Sequence, residues 1–296
     1  MQTVLKTHDL TKAYGNRLAV DHVNMTIPRG EIYGFIGMNG AGKTTLMRLI
    51  LSLALPTEGS FELFDGIQDI QQRRRIGSLV EMPGFFKNCS ARENLERFSL
   101  LSEGDPRRVD DILHMIGLAD TGKKKAGQFS MGMKQRLGIG IALLGDPEFI
   151  VLDEPINGLD PAGIMEMRNL ILKLNREYGI SFLISSHLLD ELAKVATRFG
   201  IISHGKLVEE ITPSELGEKV GSRARFVVDE PEEAVAFLKE KLSPENVERK
   251  EFAVLVRIPQ KETSAVNALL VGAGIHVNSI GWQNEGLEDY FIERMR

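Results

Sequence analysis

Gly37-Met38-Asn39-Gly40-Ala41-Gly42-Lys43-Thr44 carries the spacing G-x-x-x-x-G-K-[ST]. It stands between the apolar run Ile32–Ile36 and a segment, Lys43–Leu55, whose Leu46, Leu49, Ile50 and Leu53 recur at helical spacing before Pro56. A strand running into a glycine loop and then a helix opens an α/β nucleotide fold. The glycines let successive backbone N–H groups turn inward around phosphate oxygens, and the helix N-terminus adds its partial positive charge. Lys43 is expected to pair with β- and γ-phosphate, and Thr44 to offer its hydroxyl to Mg²⁺.

Two further stretches complete a site. Phe149-Ile150-Val151-Leu152-Asp153-Glu154 is an apolar strand ending in two acids. A carboxylate at the C-terminal end of a buried parallel strand suits the support of Mg²⁺, which gives Asp153 its role. Glu154, one residue on, is placed to polarise a water as general base. His187 follows the strand-like Ser181–Ser185 and precedes a helix. There an imidazole can hydrogen-bond the γ-phosphate and the attacking water.

Around these motifs the chain alternates. Val4–Leu10 and Ala19–Ile27 read as strands, and residues from about Pro83 to Pro147 read as helical throughout, as Ala91–Leu101, Arg107–Ile116 and Met133–Leu144. Helices Gly163–Tyr178 and Leu188–Thr197 then alternate with strands Phe149–Leu152, Ser181–Ser185 and Gly200–Ser203, which implies a mostly parallel sheet covered on both faces. After about Pro213 a second, smaller α/β unit begins: Phe252, Val254, Val256 and Ile258 alternate as a strand between two helical patterns. It holds no cluster of catalytic residue types.

Composition narrows the function. The chain has 296 residues, 43% hydrophobic and 26% charged, with a net charge of −5. Those are globular values that exclude a disordered chain, and the negative balance argues against wholesale nucleic-acid binding. One cysteine, Cys89, excludes an intrachain disulfide and fits a reducing compartment. No signal peptide and no apolar stretch near the ~20 residues of a membrane span is visible, so work at a membrane would require a separate anchor.

Taken together, roughly Val4–Thr212 resembles one family, the nucleotide-binding subunits of ABC transporters. Its signature stretch matches Phe129-Ser130-Met131-Gly132-Met133 ahead of Lys134-Gln135-Arg136, with Met131 and Met133 in place of a Gly and the Gln. The aromatic residue that stacks on adenine matches Tyr14, which precedes a glycine turn, and the dimer-contact loop matches Gly158-Leu159-Asp160. The loop after Ile76–Val80, normally carrying Gln, has Glu81, an acceptor without a donor. These departures, with a C-terminal extension ending Gly286-Leu287-Glu288-Asp289-Tyr290-Phe291, are similar to the branch that exports peptide antibiotics such as bacitracin and lantibiotics, often for self-protection.

The resemblance implies a RecA-like P-loop cassette over residues 1–213, with an N-terminal antiparallel β subdomain and a helical signature subdomain at about 83–147. An accessory α/β domain follows over 214–296. It implies ATP and Mg²⁺ as cofactors, ATP hydrolysis, a separate integral-membrane permease and a second nucleotide-binding subunit, at the cytoplasmic face of the cell membrane. Residue by residue it implies a phosphate cradle of Asn39, Gly40, Ala41, Gly42, Lys43, Thr44 and Thr45. Thr44, Asp153 and Glu81 would support the metal, Glu154 would be the base, and His187 would sense the γ-phosphate. Ser130 and Gly132 would act across the dimer, with Asp160 positioning groups there. Two other classes make different demands on the sequence. A soluble family member in DNA repair or translation would carry a long coiled-coil insert or two cassettes, and a non-hydrolysing regulatory module would be expected to lose Glu154 or His187.

Overall fold

The structure, a computed structural model, describes residues 2–66, 70–81, 84–101, 105–219, 222–284 and 287–295. Pro83, named above as the start of the helical region, and Gly286 of the C-terminal extension lie outside them. The chain divides into two compact units, Met1–Pro213 with Phe291–Arg296, and Ser214–Tyr290.

The first unit opens with β1 (Thr3–Tyr14), β2 (Arg17–Val23), β3 (Thr26–Pro28), β4 (Ile32–Ile36), α1 (Lys43–Ile50) and β5 (Glu58–Leu63). β1 pairs antiparallel with β2, β3 and β5. α2 (Ile70–Arg74), β6 (Ile76–Leu79), α3 (Ala91–Leu101), α4 (Val109–Met115) and α5 (Met131–Ala142) follow. Then come β7 (Phe149–Asp153), α6 (Pro161–Tyr178), β8 (Ser181–Ser186), α7 (Leu189–Ala193), β9 (Arg198–Ser203) and β10 (Lys206–Ile211). Among the described residues the larger sheet has the order β10-β9-β4-β8-β7-β6, parallel except for β10 at one edge. Every residue of β4, β7 and β8 is buried, as expected of parallel strands covered on both faces. One core joins Val4 and Leu10 of β1, Tyr33 and Phe35 of β4, Leu46 and Leu49 of α1, and Val151 of β7. It fixes the base of the phosphate loop against the end of β7.

Several boundaries differ from the sequence reading. α1 stops at Ile50, because the chain turns left-handed at Ser52 and leaves Leu53 and Leu55 exposed. The apolar spacing there continued past the helix it suggested. β5 and β10 escaped notice because their charged and small residues mask the alternation that pairing with β1 and β9 reveals. Residues 84–90 precede α3 without helix, so among the described residues the signature region is three α-helices joined by turns and short 3-10 helices.

The second unit contains β11 (Ser222–Val228), α9 (Pro231–Lys241), β12 (Val247–Lys250), β13 (Ala253–Arg257), α10 (Thr263–Gly272) and β14 (Val277–Asn284), preceded by α8 (Pro213–Lys219) and followed by α11 (Leu287–Met295). The order β12-β13-β11-β14, all antiparallel, with β-α-β-β-α-β succession, is the ferredoxin-like plait. Its own core holds Ala224, Phe226 and Val228 against Ala234 and Leu238 of α9 and Val266 and Leu270 of α10. The sequence reading gave all of 214–296 to this unit. The final turns instead belong with the first, where Phe291 is fully buried with its ring 5.9 Å from that of Phe199.

Candidate functional site

The loop from Gly37 to Gly42 leaves the buried end of β4 and delivers α1. Gly42 has φ +114, and a Cβ there would lie 2.3 Å from the carbonyl oxygen of Ala19, so only glycine fits. Beside the loop is a cavity of about 380 Å³ lined by Tyr14, Met38, Asn39, Gly40, Gly42, Lys43, Thr44, Thr45, Asp153 and Glu154, with Arg17 and Ala19. All of the expected phosphate cradle except Ala41, together with Tyr14 and both acids of β7 and its exit, thus share one space. Tyr14 is about half exposed at 53%, and the Lys12 ammonium sits 5.1 Å from its ring centre. Arg17, which sequence reasoning passed over, donates to the Gly40 carbonyl at 3.2 Å. Its only sequence signal was a basic residue just past the Tyr14-Gly15 turn.

The floor of the cavity is a chain of polar contacts. The Thr44 hydroxyl donates to Asp153 Oδ2 at 2.7 Å, and the Ser185 hydroxyl donates to Asp153 Oδ1 at 2.5 Å. Both lone-pair faces of a buried carboxylate are therefore held, which fixes its direction. Ser185 also accepts from the Glu154 backbone N–H at 2.9 Å, and Glu154 takes the left-handed value φ +51. That backbone turn, tied to β8, aims Glu154 back at the loop. Ser185 is the second residue the sequence reading missed; two serines closing an apolar strand before His187 were its signal.

Glu154 meets two partners. Its Oε1 lies 3.5 Å from Lys43 Nζ, and its Oε2 lies 2.7 Å from His187 Nδ1. Lys43, 6% exposed, also donates to the Gly37 carbonyl at 2.6 Å and the Met38 carbonyl at 3.3 Å. Glu154 Oε1 is buried without a hydrogen bond, an acceptor available to a water or phosphate-bound group.

Hard oxygens at Thr44 and Asp153 fit Mg²⁺, which takes one or two carboxylates and completes its shell with phosphate and water. Among the described residues no cluster of three or more His, Cys, Asp or Glu could hold a metal alone, so phosphate oxygens would have to complete the shell. Glu81 does not join this pair. It is exposed, does not line the cavity, and makes an ion pair with Arg48 of α1. The metal role expected of Glu81 from the sequence therefore finds no support in the cavity lining, where Thr44 and Asp153 stand without it.

Ser130 and Asp160 stand apart from the cavity, each at a helix start. Ser130 caps α5, its hydroxyl accepting from Met133 N at 3.3 Å. Asp160 caps α6, accepting from Gly163 N at 3.2 Å. Gly132 lies beside that second cap, where a Cβ would be 3.8 Å from the Gly163 Cα. The chain by itself does not bring these three onto its phosphate loop; none lines the cavity.

The ABC transporter family profile matches residues 20–157. The bacitracin transport ATP-binding protein of Bacillus licheniformis is 42% identical over 99% of this chain and 97% of its own length. The lantibiotic transport ATP-binding protein of Streptococcus pyogenes is 41% identical over 70% of this chain and 90% of its own. A dimeric ATP-binding cassette solved in a post-hydrolysis state with ADP and Pi superposes with TM-score 0.62 at 27% identity, over 71% of this chain and 98% of that one. With its phosphate loop, its paired acids and full-length likeness to transport ATP-binding proteins, the chain belongs to the ATP-hydrolysing subunits of ABC transporters.

Proposed function

We propose that this chain powers export of a peptide antibiotic of the bacitracin or lantibiotic kind through a separate membrane permease. The observation that carries the catalytic part is that Lys43, Thr44, Asp153 and Glu154 line one cavity, with Ser185 bonded to Asp153 and His187 to Glu154 from behind it. The likeness to bacitracin and lantibiotic transport proteins supports the cargo. Among the described residues no helix is long and apolar enough to cross a membrane, which supports a permease as the anchor at the cytoplasmic face.

In this reading Tyr14 stacks on the adenine, and the backbone of Asn39, Gly40, Ala41 and Gly42 with Lys43, Thr44 and Thr45 cradles the phosphates. Thr44 and Asp153 would hold Mg²⁺, which neutralises phosphate charge when bound. Glu154 accepts the proton of the attacking water, and His187 orients that carboxylate through its 2.7 Å contact while reaching toward the γ-phosphate. Ser130 and Gly132 present the N-terminus of α5 to a nucleotide held by a second cassette, with Asp160 at the contact between the two. The exposed positions of Ser130 and Asp160 at helix starts support that role across a dimer.

The test is expression of the chain with a six-span permease encoded beside it in a sensitive host. Tolerance to bacitracin or a lantibiotic should rise, and Glu154→Gln should abolish the gain. Wild-type tolerance with Glu154→Gln would overturn the coupling, and no gain with any peptide antibiotic would overturn the cargo.

A further inference from the structure

The phosphate loop borders more than the nucleotide cavity. A second cavity, of about 420 Å³, touches it at Met38, Asn39, Gly40 and Ala41, and Met295 of α11 forms part of the wall. Sparse packing leaves the position of such a loop to the few contacts it does make. Several of these come from the end of β9 and the turn after it. A Cβ on Gly37 would lie 2.7 Å from the Ile202 carbonyl oxygen, and one on Gly42 would lie 3.3 Å from the Ile202 side chain. Gly205, at φ +84, donates its N–H to the Ala41 carbonyl at 2.9 Å, and its own carbonyl accepts from Asp21 N at 2.8 Å. Ser203 stands between these two supports. Its hydroxyl donates to the Met295 carbonyl at 2.7 Å, and His204 Nδ1 lies 2.9 Å from the same oxygen. α11 is anchored in turn by the fully buried Phe291 and by Arg294, whose Nε lies 2.9 Å from Glu209 Oε2 of β10. A short bonded path thus leads from the C-terminal helix through Ser203 and its turn to Ala41.

We infer, resting on the reading of this loop as the phosphate cradle, that Ser203 and α11 are positioning groups for it and raise the chain's affinity for ATP. The physical basis is preorganisation. Backbone N–H groups bind phosphate best when they already point at it, whereas a loop that must first be ordered binds more weakly. Neither Ser203 nor Met295 lines the nucleotide cavity, so both act through the loop and not on the nucleotide. The proton acceptor is fixed elsewhere: Glu154 and His187 follow β7 and β8 and are held by each other and by Ser185. Loss of the Ser203 bond therefore changes how tightly ATP is held and leaves the chemical step alone.

The test is ATP affinity by calorimetry, with KM and kcat of hydrolysis, on full-length variants held well below their melting temperatures. Ser203→Ala should weaken ATP about fivefold, the worth of one hydrogen bond, and raise KM to match with kcat unchanged. Ser203→Thr, which keeps the hydroxyl, should restore the wild-type affinity. Phe291→Ala, which loosens the anchor of α11, should also weaken ATP. Combining it with Ser203→Ala should cost less than the two separate effects together, because both act on one contact. Wild-type affinity in Ser203→Ala would overturn the inference, as would equal losses in Ser203→Ala and Ser203→Thr, or fully additive losses in the double variant. A wild-type chain that binds no ATP would overturn the phosphate-cradle reading, and the inference with it.

Discussion

Glu154 shows at the scale of one residue how the site is made. Its position is what sets it apart, because a left-handed backbone tied to Ser185 turns it toward Lys43 and His187. Glu81 is the converse. It also has a left-handed backbone, at φ +65, yet its carboxylate goes to Arg48 at the surface. Glu81→Gln should therefore leave the Mg²⁺ concentration for half-maximal hydrolysis unchanged and alter stability by no more than about 1 kcal/mol, as for exposed ion pairs. An Mg²⁺ titration of the ATPase rate in both forms decides it, and a raised requirement in the variant would return Glu81 to the metal. The phosphate loop, Asp153 and Glu154 were legible in the sequence because phosphate chemistry demands those residue types at that spacing. Ser185, Arg17 and Arg48 were not, since hydroxyls and arginines are common and only the fold brings these ones to the acids or the loop.

Elements show a second kind of legibility. The start of α3 is written in Ser90-Ala-Arg-Glu93, and the structure closes it reciprocally. Ser90 N donates to Glu93 Oε2 at 2.6 Å, and Glu93 N donates to Ser90 Oγ at 3.2 Å. Replacing Ser90 by Ala should cost about 1 kcal/mol, read from denaturant unfolding. The backbone N–H of Ser90, its hydroxyl and then Lys125 hold the Glu93 carboxyl down at about 2, from an ordinary 4.5. A carboxyl lowered on folding stabilises the folded form above its ordinary value, and that contribution fades as pH falls from 4.5 toward 2. Glu93→Gln should therefore show a flatter stability curve than wild type across that window; parallel curves would mean that the cap is insensitive to its charge. The strands β5 and β10 were hidden for the opposite reason. Their identity comes from the strands beside them, not from local pattern.

For the whole molecule, the two units have separate cores, yet the last residues of the chain return to the first. Phe291 is fully buried near Phe199, Ser203 Oγ donates to the Met295 carbonyl at 2.7 Å, and Arg294 Nε lies 2.9 Å from Glu209 Oε2. No local pattern could reveal that return, because it depends on where residues far apart in sequence meet. A chain ending at Pro213 should still fold and bind ATP, but lose about 3–5 kcal/mol, as when a buried Phe is truncated. Phe291→Ala in the full chain should reproduce most of that loss, and thermal melts of the two that match wild type would show that the tail contributes nothing. If Glu154 is the proton acceptor in ATP hydrolysis, Glu154→Gln should bind ATP normally and turn it over slowly. On one preparation of that variant, calorimetry should give an ATP affinity within several-fold of wild type, and single-turnover hydrolysis should be slowed by at least about 100-fold. Hydrolysis at the wild-type rate with binding intact would remove Glu154 from that role.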